Sequence, residues 1–208
     1  MRIKNEAGKN TLDWFEELYS FANKDEYWIP WSNGKPHPFL EEYMSIIQNK
    51  GKALVVGCGL GEDAVYLSQM GWKVTAFDIS PSAIQWAKEK YNHTNINWEV
   101  ADLLSLGTDW NNYFDLVVEI HILQAIPESL RILAAPNLSP LLAPYGKLIC
   151  IGRLNEIDEE FEGPPWPLHK DFIDSIGIGL NNIDFKINNL PNDDSDVMRY
   201  RAVWHNNN

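Results

Sequence analysis

The residues that say most about chemistry are three glycines in the segment VVGCGLGEDA: Gly57, Gly59 and Gly61, lying between a short apolar run and a helical pattern. Glycines there let the main chain turn sharply and admit a ligand against the backbone with no Cβ in the way. Their spacing is G-x-G-x-G, with the third glycine one residue earlier than in the dinucleotide fingerprint, and Glu62 and Asp63 come at once after it. Two carboxylates at a helix start repel a pyrophosphate, which needs the same N–H groups. The spacing argues for a nucleotide-like cofactor without phosphates and against a nicotinamide-dependent oxidoreductase. Cys58, inside the loop, reads as small filler, because no base is spaced to activate it.

Two further carboxylates extend the site. Asp78 ends the run KVTAFD, 21 residues after Gly57, where a carboxylate can accept both hydroxyls of a ribose. Asp102 comes after the next strand in the pair Ala101-Asp102 and is placed to meet the edge of an adenine; taken alone it is equally a helix cap or a solvated strand end. Glycines and carboxylates together describe an adenosine site. Glu119, next to last in FDLVVEI, is at the end of the fourth strand facing the crevice where open α/β sheets bind ligands, and either attracts a cationic cofactor or is solvated. His121, two residues on, is the first candidate for an acid/base or orienting role, with a purely structural role as the alternative. His37 reads as a turn residue and His169 as a helix N-terminal residue.

These groups need elements to hold them. Phe15, Leu18, Tyr19 and Ala22 have helical spacing within Thr11–Ala22, YWIPWSNGKPHP is loop chemistry, and Pro38 starts a second helix carrying Leu40, Tyr43, Met44 and Ile47 on one face. Residues 1–50 are thus expected to cap a Rossmann-like core over 51–205, all in a single domain. In that core, strands ALVVG, KVTAFD, NINWEV, FDLVVEI and KLICIG alternate with helices over Glu62–Met70, Ser80 to about Tyr91, and about Pro127–Leu142. The expected fold class is α/β, a mostly parallel sheet with helices on both faces. After a helix at about Leu168–Ile176, IDFKIN and VMRYRAVW have no helix between them and should pair antiparallel; only the final HNNN reads as disordered. The connection Arg153–Pro167, RLNEIDEEFEGPPWP, is long enough to be a lid or binding loop. Phe161 and Trp166, with Trp31, are expected to wall a pocket there; Trp166 packed on the core below a solvated acidic loop is the alternative.

Composition narrows the partners. With 17 Lys+Arg against 29 Asp+Glu the formal charge is −12, which disfavours nucleic acid, polyanions and membrane surfaces. The 208 residues, 45% apolar and 12% aromatic, suffice for one large core. Two cysteines, Cys58 and Cys150, give neither a disulfide framework nor metal-ligand spacing, so no metal is expected and the cytoplasm is the natural compartment. MRIKNEAGKN lacks an apolar h-region and no run is long and apolar enough to span a bilayer, so neither a signal peptide nor a membrane segment is expected.

GCGLG after a strand, Asp78, Ala101-Asp102 and FDLVVEI resemble, in order and spacing, the motifs of class I S-adenosylmethionine-dependent methyltransferases, over about Lys52 to Trp204. Within them the chain is most similar to the thiopurine and thiol methyltransferase group. Trp28, Trp31 and Phe39 stand where that group closes aromatic residues over the cofactor, EIHILQAI is similar to its stretch after the fourth strand, and GPPWPL to its GPP-aromatic segment beside the substrate. Ile120 stands where the thiopurine enzymes carry an arginine. The resemblance implies S-adenosylmethionine as cofactor, bound by Trp31, Gly57, Cys58, Gly59, Gly61, Asp78, Ile79, Ala101, Asp102, Leu103 and Glu119. It implies a small-molecule acceptor bound by Phe39, His121, Phe161 and Trp166, with His121 as the one catalytic candidate. Because a thiol is partly ionised near neutral pH, such an enzyme mainly positions its acceptor and excludes water. A module that binds the cofactor without turnover shares the same glycine loop and Asp78, and stands as the alternative.

Overall fold

A computed structural model of the chain describes residues 12–156, 161, 163–191 and 197–207. Its centre is a seven-stranded sheet of β1 (Lys52–Val56), β2 (Lys73–Asp78), β3 (Asn97–Val100), β4 (Phe114–Ile120), β5 (Leu142–Arg153), β6 (Asn181–Asn188) and β7 (Arg199–His205), in the order β3-β2-β1-β4-β5-β7-β6. The first five strands pair in parallel. β7 slots between β5 and β6, antiparallel to both, as the absence of a crossover helix predicts. Strand order reverses between β1 and β4, which places a ligand crevice beyond their carboxyl ends.

Both faces of the sheet are buried, so successive residues of one strand serve different cores. Leu54 and Val56 of β1 join Phe77, Val117, Leu148, Cys150 and Ala202 on one face. Ala53 and Val55 join Val74, Ala76, Leu116, Val118, Ile149 and Val203 on the other. The first face is covered by α6 (Glu128–Ala134) and α7 (Lys170–Ile176), the second by α2 (Pro38–Met44), α3 (Glu62–Gln69) and α4 (Pro81–Lys90). Ser80 caps α4 by accepting from the Ala83 N–H at 3.0 Å, with Pro81 in the first turn.

Several boundaries differ from those the sequence suggests. The helix expected over Pro127–Leu142 ends at Ala134; two 3-10 turns come next at Ala135–Asn137 and Ser139–Leu141, and Leu142 already belongs to β5. Pro136 and Pro140 are the cause, since each removes a backbone donor and crowds the preceding turn. At the chain's end, HNNN is not a loose tail over its described part: His205 pairs with Lys147, and the Asn206 N–H donates to the Gly146 carbonyl at 2.9 Å. Of the expected loop Arg153–Pro167, Arg153 ends β5 and Leu154 bridges Leu168, while the acidic run Asp158-Glu159-Glu160 lies outside the described residues, as does Asp193-Asp194 in the terminal hairpin.

The N-terminal segment divides in two. α2 is built into the sheet-face core through Phe39, Leu40, Tyr43 and Met44. Arg201 of β7, only 5% exposed, holds it there by donating to the Phe39 carbonyl at 3.1 Å and to Asp184 at 2.8 Å. α1 (Asp13–Ala22) instead lies across the carboxyl side of the sheet, where Tyr19, Ala22 and Ile29 pack with Leu60 of the glycine loop and Ala83 and Trp86 of α4. Among the described residues no helix is long and apolar enough to cross a membrane.

Candidate functional site

The glycine loop leaves β1 with φ of 57° at Gly57, 52° at Gly59 and 94° at Gly61, a region that L side chains adopt only with strain. The three glycines serve different neighbours. A Cβ on Gly57 would lie 2.3 Å from the Ile122 side chain, and one on Gly61 would lie 2.3 Å from the Trp98 ring. Those two are required by packing within the protein, rather than by a ligand. Only at Gly59 does the missing Cβ face the N-terminal segment, 2.9 Å from the Tyr19 hydroxyl and 3.7 Å from the Trp31 Nε1. The roof there is aromatic: the Trp31 indole donates to the Tyr19 hydroxyl at 2.9 Å and meets Trp14, Phe15 and Tyr19 edge-on. Trp28 is not part of it, since its ring neighbours are Phe21 and Tyr27 on the exposed side of the cap.

Asp78 is bonded directly to this loop. One carboxylate oxygen accepts from the Gly59 N–H and the other from the Ser80 N–H, both at 2.9 Å. Burial raises its pKa, against the opposing pull of those backbone donors, so a ligand hydroxyl donating to its remaining lone pairs would favour the charged form. Glu62 and Asp63, expected from the sequence to guard against phosphate, are engaged by the cap and by α4. Glu62 accepts from the Ser32 hydroxyl at 2.9 Å and from Lys90 at 3.0 Å, and Asp63 accepts from the His37 N–H at 2.8 Å. Burial pushes Asp63 up to about 7. Cys58 is raised well above the usual thiol range, first by burial and then by Asp78, which makes it inert filler.

At the end of β3, Asp102 caps a 3-10 turn by accepting from the Leu104 N–H at 2.9 Å, with Leu103 buried beside it. Ala101 and Asp102 line a concavity of about 390 Å³ that extends to Trp110. The Ala101 N–H donates to the Asp78 carbonyl at 3.1 Å, so the ends of β2 and β3, with Ile79 between Asp78 and Ser80, form one continuous rim.

A family described as "Methyltransferase domain" matches residues 53–146. A probable thiol methyltransferase 2 of Arabidopsis thaliana is 33% identical over 156 residues, spanning 73% of this chain and 67% of that protein. A thiocyanate methyltransferase 1 of Brassica oleracea is 28% identical over 74% of this chain and 71% of its own. The solved structure of an N-methyltransferase from Bradyrhizobium japonicum, in complex with S-adenosyl-L-homocysteine, superposes with a TM-score of 0.71 at 20% identity over 96% of this chain and all of its own. The chain belongs to the class I S-adenosylmethionine-dependent methyltransferases. S-adenosylmethionine is thus its cofactor and, when bound, supplies a methyl group on a positively charged sulfur. The residues present fit it: a glycine loop turning at positive φ beneath aromatic side chains, and a buried carboxylate bonded to that loop at the end of β2.

In this methyltransferase the far side of the crevice is built differently. Glu119, expected to contact the cofactor, is 1% exposed; one oxygen accepts from both the Ile122 and Leu123 N–H groups, at 2.7 and 3.0 Å, and so caps the short helix α5 (Ile122–Ala125). Its other oxygen faces Cys150 and Tyr200, and burial pushes its pKa up to about 7. Glu119 is a helix cap rather than an exposed strand-end carboxylate. Phe39, expected beside the acceptor, is also a core residue at 3% exposure. Phe161 is 41% exposed, while Trp166 is half-buried and its main-chain N–H donates to the main-chain carbonyl of Gln124 at 2.9 Å.

His121 stands at φ 64°, an uncommon place for a non-glycine residue, at the N-terminus of α5. The Arg199 guanidinium lies 3.1 Å from its Nε2, and the Gln124 Oε1 3.0 Å from its Nδ1. A guanidinium only donates, so Nε2 accepts and Nδ1 carries the proton toward Gln124. Gln124, not singled out by the sequence, is the organiser here. At 1% exposure its amide accepts from the Arg153 N–H at 2.6 Å and donates to the Arg153 carbonyl at 2.5 Å, locking α5 to the end of β5. The available signal was a lone amide in an otherwise apolar helix face, HILQAI.

Proposed function

We propose that this methyltransferase transfers its methyl group to the thiol sulfur, or a comparably soft atom, of a small molecule. The observation that carries this is the engagement of both ring nitrogens of His121 by Arg199 and Gln124. With Glu119 buried beneath α5, the end of β4 offers no side chain ready to take a proton from an alcohol or ammonium. A thiol supplies its own thiolate in useful amount near neutral pH. The protein's task is then to hold the acceptor in line and keep water out, for which orientation alone lowers the barrier by about 7–11 kcal/mol. The named relatives that act on thiols and on thiocyanate support the same class.

In this reading Gly57, Cys58, Gly59 and Gly61 shape the backbone under the cofactor, Asp78 takes the ribose hydroxyls, and Ile79, Ala101, Asp102 and Leu103 hold the adenine. Trp31 roofs the cofactor, while His121, Phe161 and Trp166 bound the acceptor space, His121 as an orienting group. The chain acts as a single thiol methyltransferase-like domain in the cytoplasm, consistent with its two free cysteines. The test is a panel of thiols, thiocyanate, halides, phenols and amines with labelled methyl donor. Thiols are expected to be methylated at rates that track their thiolate fraction. Turnover of phenols or amines with no turnover of any thiol overturns the proposal.

A further inference from the structure

The aromatic roof over Gly59 is carried by a helix that is not part of the sheet core, and something must hold it down. Glu16, on α1, is the group that does so. One of its oxygens accepts from the Ser80 hydroxyl at 2.6 Å and the Ser82 N–H at 3.0 Å; the other accepts from the Ser82 hydroxyl at 2.5 Å and the Ser20 hydroxyl at 2.8 Å. Three of these four donors belong to the first turn of α4, where backbone N–H groups lack intrahelical partners and favour a carboxylate. Burial works against the charge, yet these bonds hold the Glu16 carboxyl down to about 2.

The place of this contact matters more than its strength. Ser80 is fully buried, and its groups are divided among three partners: its N–H donates to Asp78, its hydroxyl oxygen accepts from the Ala83 N–H, and its hydroxyl proton goes to Glu16. Asp78 in turn takes the Gly59 N–H, and a Cβ on Gly59 would meet the hydroxyl of Tyr19, one helical turn beyond Glu16 on α1. The chain of contacts Glu16–Ser80–Asp78–Gly59–Tyr19 therefore runs from α1 through the start of α4 to the glycine loop and back to α1.

We propose that Glu16 is a positioning residue that latches α1 over the cofactor site, so that breaking its bonds to Ser80 and Ser82 frees the roof and sets how fast cofactor and product leave. The proposal rests on the assignment of Asp78 and the glycine loop to the cofactor. A second link between the same parts, Lys24 to Glu89, is solvent-exposed at both ends and supplies the control, because exposed pairs contribute little.

The experiment uses the full chain and monitors dissociation of S-adenosyl-L-homocysteine by tryptophan fluorescence in stopped flow, with calorimetry for affinity. Glu16→Gln and Ser82→Ala, each checked for native circular dichroism, are expected to release the product about tenfold faster or more, with the KM for the methyl donor rising more than kcat changes. Glu89→Gln is expected to stay within about twofold of wild type. Wild-type release rates in both Glu16→Gln and Ser82→Ala overturn the latch, as does an equal acceleration by Glu89→Gln. Asp78→Ala separates the two levels: lost affinity there with unchanged release in the Glu16 variant removes the latch alone, whereas wild-type affinity in Asp78→Ala removes the site assignment and the latch with it.

Discussion

Asp78 and Glu119 stand at or next to the ends of the two strands that flank β1, and burial raises the pKa of both, yet their oxygens are used in opposite ways. Asp78 spreads its two oxygens over backbone N–H groups on either side of it, Gly59 of the glycine loop and Ile79 and Ser80 of the chain that follows. Glu119 gives one oxygen to two N–H groups of α5 and turns the other toward Cys150 and Tyr200 inside the core. An acidic side chain at the same level of the sheet is thus a candidate ligand on the β2 side and a structural plug on the β4 side. The next segment of chain decides between them. After β2 the chain runs straight into Ser80-Pro81 and α4, leaving the carboxylate at a crevice; after β4 it turns back at His121 and lays α5 over it.

That contrast can be broken most severely at Asp78. Asp78→Ala is expected to weaken S-adenosyl-L-homocysteine about a thousandfold, from loss of two hydrogen bonds to a charged acceptor, as read by calorimetry. An affinity within about threefold of wild type would erase the distinction. Next comes Gly61→Ala, which adds a Cβ 2.3 Å from the Trp98 ring at φ 94°. It should cost about 4 kcal/mol in urea unfolding, from left-handed strain and overpacking together, with cofactor affinity of the folded fraction unchanged. That separation of stability from binding would show that this glycine serves packing.

Glu119 sharpens the other side. Its carboxyl ionises near 4.5 in the unfolded chain but at about 7 when folded, so the native state keeps a proton that the unfolded state has lost. Stability from this group is present in full below about pH 4.5 and is lost as pH rises toward 7, a swing of about 3 kcal/mol. Glu119→Gln should abolish that part of the slope in urea midpoints while leaving the KM for the methyl donor unchanged; a large rise in that KM would restore Glu119 to the cofactor site. The smallest effect is expected at His121. His121→Asn should lower thiol methylation by less than about tenfold, with a pH profile that still tracks the acceptor thiol. A larger fall with loss of the alkaline rise would identify a proton acceptor.

The legibility of these two halves differs in the same way. The glycine loop, Asp78, Ser80-Pro81 and the strand ends could be read because each depends on local chemistry: a turn needing positive φ, a cap, an alternation of apolar strand and helix. The terminal hairpin was legible for a related reason, since too few residues separate β6 and β7 for a crossover. Glu119, Phe39 and Gln124 were not, because their roles depend on which distant segments cover them. Phe39 became core when Arg201, far away in sequence, bonded its carbonyl. The long helix drawn over Pro127–Leu142 failed for a reason that was visible, as Pro136 and Pro140 carry their own stop signal.

The sequence by itself determined the α/β alternation, the phosphate-free character of the glycine loop and its carboxylate partner, because backbone conformation and near-neighbour hydrogen bonding are local. Only the tertiary structure decided that Gly57 and Gly61 serve packing while Gly59 faces the roof, that Glu119 is a cap, and that Glu16 reaches across to Ser80 and Ser82. Each of those outcomes turns on contacts between segments distant in the chain, and burial, which sets their energies, exists only once those segments have met.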